Sequence, residues 1–225
     1  MHLLFTCEHG GNEVPPAYAP CFEGAAAVLA SHRGYDPGAL ALYETLRPLG
    51  AAGFYSTTSR LLVELNRSLH HPRLFSAYTR ALPRAARQHL VETWYRPHRD
   101  AVEACIADWR RTGATVLHIA VHSFTPVLDG QVRQADIGLL YDPRRTAERT
   151  FACDWQAALQ RQAPHLRIRR NYPYRGAADG FTTYLRRVFP QHYLGLELEV
   201  NQARVADPGV AAALVASLRS LLPAS

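Results

Sequence analysis

The sequence predicts an α/β protein built on a mixed, largely parallel sheet flanked by helices. Three observations carry that reading. Short β-branched or apolar runs alternate with helical patterns, Pro and Gly punctuate the joins, and no repeat, low-complexity tract or linker interrupts the 225 residues. The first strand is "LLFT" (3–6), closed by the turn-forming "CEHGG". A helix follows in "PGALALYETLRPLG" (37–50), opened by Pro37, ended by Gly50, with Leu40, Tyr43, Leu46 and Leu49 on one face. "LLVEL" (61–65) reads as the second strand. Residues 84–111 form one long helix, kinked or broken near Pro97, which lacks an amide hydrogen and clashes with the preceding turn. "TVLHIAV" (115–121) and "DIGLLY" (136–141) are strands, and 146–161 is a helix. "YLGLELEV" (193–200) is the last strand and 208–222 the last helix.

Composition narrows the function classes. Apolar residues make up 48% of the chain, enough for a sizeable core. No apolar run approaches the roughly 20 residues needed to cross a bilayer. The apolar start "MHLLF" is too short for a signal peptide and has no basic residue before it, so a cytoplasmic protein without a membrane partner is expected. Cys7, Cys21, Cys105 and Cys153 form no C-x-x-C pair and read as reduced thiols, which argues against a cysteine metal site. The net charge is +6, and all 25 basic residues are arginine. They are scattered, densest in "RIRRNYPYR", with no zinc-finger spacing and no aromatic RNA-binding signature, so no nucleic-acid partner is expected. The planar fork of arginine suits carboxylates, which points instead to an acidic small molecule.

In open α/β sheets, ligands bind at the carboxyl ends of the strands. Residues of catalytic type gather there: Glu8 and His9 after the first strand, Asn66 and Arg67 after 61–65, His122 after 115–121, and Glu197 and Glu199 in the last strand. A catalytic zinc takes three His or carboxylate ligands and leaves a position open. His9 and His122 are the natural nitrogen donors, whereas His118, inside an apolar run, reads as a hydrogen-bonded structural residue. Two acids compete for the third position. Glu13 follows His9 by four residues, and Asp36 precedes a helix that it could equally cap. Glu197 and Glu199 share one face of their strand and are costly to bury unpaired. One of them, near a metal and its water, would serve as general base.

The motifs "CEHGGN-x-VP", "D-x-GA", "SRLLVELNR", "HSFTP" and "GLELEV", in that order from residue 6 to about 202, resemble the N-formylglutamate amidohydrolase family. The resemblance implies one domain over residues 1–225 with a zinc-carboxypeptidase-like (phosphorylase/hydrolase-like) fold, distantly similar to the aspartoacylase and succinylglutamate desuccinylase group. It implies His9 and His122 as ligands of one divalent metal, zinc, and Glu199 rather than Glu197 as the base. Asn66 and Arg67 match the pair that binds the substrate carboxylate. Arg60 matches an arginine that polarises the scissile carbonyl, and Arg175 of "NYPYRG" a second substrate arginine. "HGGNE" has one residue more than the His-x-x-Glu spacing of the wider group. The family pattern has an acid at the Asp36 position, which favours Asp36 over Glu13 as the third ligand. Gly10 and Gly11 are expected to turn the chain tightly so that His9 faces the metal, with Glu8 and Glu13 either supporting the ligands or facing water.

The implied activity is hydrolysis of N-formyl-L-glutamate to formate and glutamate. Its rivals are hydrolysis of another N-acyl amino acid or short peptide, and a degenerate small-molecule binding protein that retains no metal.

Overall fold

The computed structural model describes residues 1–222. In chain order the elements are β1 (His2–Cys7), a 3-10 helix (Pro16–Phe22), α1 (Ala26–Leu29), α2 (Ala39–Leu46), β2 (Ala52–Tyr55) and α3 (Arg84–Leu90). A π-helical turn (Val91–Tyr95) leads into α4 (Arg96–Arg111), β3 (Val116–Phe124), the small hairpin β4 (Val127–Leu128) and β5 (Gln131–Val132), and β6 (Ile137–Leu140). The chain ends with α5 (Thr146–Gln162), β7 (Ile168–Arg170), α6 (Phe181–Val188), β8 (Tyr193–Asn201) and α7 (Pro208–Leu221).

Six strands form one sheet in the order β2-β1-β3-β8-β6-β7. The pairs β1–β2, β1–β3, β3–β8 and β6–β7 are parallel, and β6–β8 is antiparallel. The sheet is therefore mixed and mostly parallel, and β3 and β8 lie at its centre. Strand alternation splits the apolar residues between two faces. Leu3, Phe5, Leu117, Ile119, Leu196 and Leu198 pack with α2, α5 and α7. Leu4, Val116 and Tyr193 pack with Val102 and Ile106 of α4 and Phe181 and Leu185 of α6.

The segment 61–65 is not a strand. Leu62, Val63 and Leu65 are buried, but they lie in turns within a separate apolar cluster with Tyr18, Phe22, Leu74, Leu90 and Tyr95. A short apolar run reports burial without reporting the backbone that achieves it. The parallel neighbour of β1 is instead β2, Ala-Gly-Phe-Tyr, too short a stretch to show a strand pattern. The long helix is interrupted just before Pro97 by the π-helical turn, with helical backbone on both sides of it, and the proline falls in the first turn of α4. Among the described residues, no helix is long and apolar enough to cross a membrane.

Candidate active site

Gly10 and Gly11 answer to close packing rather than to a left-handed turn. Neither has positive φ. A Cβ on Gly10 would lie 2.9 Å from the Ser56 carbonyl oxygen, and one on Gly11 would lie 2.5 Å from that of Thr57. The Gly10 amide donates to the Ser56 carbonyl at 2.9 Å, so the end of β1 is clasped against the chain leaving β2. His9 is thereby fixed just beyond the carboxyl end of β1. The Asp36 amide donates to the His9 carbonyl at 2.9 Å, bringing the acid alongside the imidazole. The Ser123 hydroxyl, from β3, donates to the Pro37 carbonyl at 2.7 Å and pins the same loop to the end of that strand.

Asp36 does not cap a helix. Gly38 occupies the N-cap of α2, without a side-chain cap bond. Asp36 Oδ2 lies 3.3 Å from His9 Nδ1 and 2.9 Å from His122 Nδ1, while Oδ1 accepts from Arg60 Nη1 at 3.0 Å. His9, Asp36 and His122 are all buried, and their ligand atoms lie within 4.8 Å of one another. Glu13 is outside this group: it is exposed, accepts from the Thr57 hydroxyl at 2.6 Å, and bridges to Thr58.

The far nitrogen of each histidine faces a carboxylate. His9 Nε2 is hydrogen-bonded to Glu64, and His122 Nε2 lies 3.3 Å from Glu8 Oε2. Glu8 is completely buried, and its other oxygen lies 3.6 Å from His98 Nε2; both contacts have ion-pair rather than hydrogen-bond geometry. Carboxylates placed behind histidines fix the ring orientation and raise the basicity of the other nitrogen. Burial alone would push Asp36 toward protonation, but His9, His122 and Arg60 outweigh it and hold the acid well below its usual range. Burial likewise opposes a charge on His122, and Asp36 and Glu8 overcome it. The point where the two Nδ1 atoms meet Asp36 is therefore one where positive charge is favoured.

Glu64 escaped the sequence reading, although it is the lone acid in the apolar run "LLVEL". It is 6% exposed and accepts from Arg60 Nε at 2.9 Å, Arg60 Nη2 at 2.7 Å and the Asn66 amide at 3.0 Å, besides holding His9. One carboxylate thus ties the histidine, the arginine and the turn carrying Asn66 and Arg67.

That turn is held from both sides. Asn66 Oδ1 accepts from the Phe181 amide at 2.7 Å, and the Arg67 guanidinium donates to the Asp179 carbonyl. Behind it, the Tyr95 hydroxyl donates to the Arg67 carbonyl at 2.7 Å and Arg99 Nη1 donates to that of Leu65 at 3.0 Å. Arg99 is buried with its guanidinium carbon 4.1 Å from the Phe181 ring centroid, so aromatic faces replace a counter-ion.

Glu197 and Glu199 both line the cleft, but they differ. The Thr182 hydroxyl donates to Glu197 at 2.7 Å. Glu199 stands beside His122 in the β3–β8 register and opposite Gly138 in β6. A Cβ on Gly138 would lie 3.3 Å from that of Glu199 and would collide with the Tyr172 carbonyl, so only glycine leaves this wall open. Glu199 is 5% exposed, its Oε2 has no hydrogen-bond partner, and burial pushes its pKa up to about 8. His118 is the structural histidine expected, hydrogen-bonded to Thr6 Oγ1 at 2.8 Å and to the Tyr193 hydroxyl at 2.7 Å.

His9, Asp36, His122, Glu197 and Glu199 open onto a cleft of about 460 Å³, lined also by Arg60, Asn66, Arg67 and Arg175. Arg175 is exposed and makes no ion pair among the described residues. The architecture is that of an α/β protein with a buried His-Asp-His group at the carboxyl ends of central parallel strands.

The chain belongs to the N-formylglutamate amidohydrolase family, whose profile matches residues 1–206. A gene product of Agrobacterium tumefaciens is similar in structure, with TM-score 0.82 and 29% identity, covering 98% of this chain and 88% of that one. An N-formylglutamate amidohydrolase from Ralstonia eutropha shares the fold at TM-score 0.68 and 20% identity, covering 98% of this chain and 92% of that one. A metallo-carboxypeptidase from Burkholderia cenocepacia superposes at TM-score 0.40 with 13% identity, over 97% of this chain and 56% of that one, too loosely to carry weight. No curated protein matches the sequence.

Proposed function

We propose that the protein hydrolyses the amide of an N-acyl acidic amino acid, N-formyl-L-glutamate in the first instance, releasing formate and glutamate. The observation that carries the reading is the meeting of both histidine Nδ1 atoms at one oxygen of Asp36, each ring backed by a buried carboxylate. His9, His122 and Asp36 would hold one divalent cation, and two imidazoles with one carboxylate are a donor set that suits zinc. One buried atom without a hydrogen-bond partner, Glu199 Oε2, fits such an occupant and its water. When bound, such an ion supplies Lewis acidity for water and for the amide carbonyl.

The remaining work falls to the chain. Glu199 accepts a proton from the attacking water and returns it to the leaving amine. Its burial suits that exchange, because a base tuned toward neutrality both takes and gives. Arg60, fixed by Asp36 and Glu64, keeps two N–H groups uncommitted and directs them at the oxygen on which negative charge develops. Asn66 and Arg67 take the α-carboxylate, and Arg175 takes the side-chain carboxylate across the cleft.

The test is an assay of wild type and Glu199→Gln protein, each analysed for metal. We expect Glu199→Gln to keep a full equivalent of metal and lose roughly 10²–10⁴-fold in kcat. Near-normal turnover with Glu197→Gln inactive would transfer the role to Glu197.

A further inference from the structure

We propose that the preferred substrate carries an anionic group beyond the two carboxylates of an N-acyl acidic amino acid, received by a second, arginine-lined cleft that opens off the first. The inference rests on the amidohydrolase reading and extends it to substrate class. The second cleft has a volume of about 450 Å³. It is continuous with the first, since His32, Arg60, Arg67 and Arg73 line both. Beyond that shared rim it adds Arg33 and Arg80, with Phe75 and Tyr78 as apolar wall.

Its charge is unbalanced. The one carboxylate in its lining is Glu64, which is already committed to Arg60 and His9. Arg33, Arg73 and Arg80 make no ion pair among the described residues. In the proposed pose both carboxylates of N-formylglutamate are matched by Arg67 and Arg175, so these three arginines have no partner in that substrate. A cationic arm with an apolar wall, joined to an amide-cleaving site, recognises a short carbon chain ending in a carboxylate. That chain could extend from the acyl side or from the α-carboxyl side. On the latter, an added acidic residue turns the α-carboxylate into an amide and brings two carboxylates, one to replace it at Arg67 and one for the arm. Hydrolysis is unchanged in either case: water adds across the same amide, and the extra carboxylate leaves with whichever product bears it.

The experiment compares N-formyl-L-glutamate with N-succinyl-L-glutamate, extended on the acyl side, and N-formyl-L-glutamyl-L-glutamate, extended on the other. Dissociation constants are measured by calorimetry on the metal-loaded Glu199→Gln protein, and hydrolysis is measured on wild type. Two exposed charge contacts, at Arg33 and Arg80, should tighten one extended ligand about tenfold over N-formyl-L-glutamate. The margin should shrink in 0.5 M salt, which screens such contacts. The Arg33→Ala, Arg80→Ala double variant should lose the margin while binding N-formyl-L-glutamate as before, which also shows that it is folded. Which ligand gains identifies the side. Margins below twofold for both, or a margin that survives in the double variant, would overturn the proposal. A margin in binding without hydrolysis of any of the three would leave the cationic arm standing and remove the amidohydrolase reading beneath it.

Discussion

Glu64 shows how much of this site depends on a side chain outside the candidate metal-holding group. Its carboxylate orients His9 and neutralises Arg60. Glu64→Gln keeps the shape but removes the charge behind the histidine, and should weaken metal binding about 10–100-fold. Competition with a graded series of chelators reads that directly, and an unchanged affinity would mean that the ring is oriented by its packing alone. Arg67 belongs to the same scale. A charge-assisted bond to a carboxylate contributes roughly 1.5–3 kcal/mol, so Arg67→Ala should lower kcat/KM for N-formyl-L-glutamate on the order of tenfold to a hundredfold. The α-amide of the same substrate should be almost unaffected by the substitution. Equal losses on both compounds would make Arg67 a residue of the fold, held there by the Asp179 carbonyl.

At the scale of elements, β3 and β8 carry a candidate ligand, the proposed base and a structural histidine. His122 and Glu199 are neighbours in register, and four residues earlier the same strands place His118 beside Gly195. His118 is fully buried, and burial pushes its pKa down to about 4, from about 6.5 for a free imidazole. A histidine whose folded pKa is depressed binds its proton more readily when unfolded. Its contribution is therefore fully present above about pH 6.5 and is lost as the pH falls toward 4. Between pH 7 and 5 wild type should lose roughly 2 kcal/mol more stability than His118→Gln. Urea unfolding at the two values measures this, and parallel losses in the two proteins would refute it. The π-helical turn matters at the same scale, since Tyr95 within it and Arg99 one turn later both reach the loop bearing Asn66 and Arg67.

For the whole molecule, the candidate ligands come from three separate segments: the end of β1, the loop before α2 and the end of β3. An ion bound there is bound only by the folded chain. At a hundredfold excess over Kd it should add about 2.7 kcal/mol. For a chain of this length that is on the order of 5–10 °C in Tm. Thermal scans with zinc and with a chelator test this, and a Tm that responds to neither would remove the metal from the account. Of the 25 arginines, six line the two joined clefts, Arg33, Arg60, Arg67, Arg73, Arg80 and Arg175, and the others are spread along the chain.

By itself, the sequence determined the α/β class and four of the sheet's six strands, and it put His9 and His122 at strand ends, as the structure does. Those signals are local: alternation, periodicity, and a polar side chain directly after an apolar run. The family motifs are local too, and they favoured Asp36 over Glu13, and Asp36 is the acid that lies with His9 and His122. Tertiary structure alone decided the rest. It turned "LLVEL" from a strand into a buried turn, because burial is written in composition but hydrogen-bond partners are not. It assigned Gly10 and Gly11 to close approach by a segment more than 40 residues away. It separated Glu199 from Glu197, which strand alternation makes equivalent, by giving only one of them a hydroxyl partner. The carboxylates of Glu8 and Glu64 became supports for histidines only when the sheet brought distant strand ends within a few ångströms. Each of these depends on which far-separated residues meet, and that is a property of the packed chain.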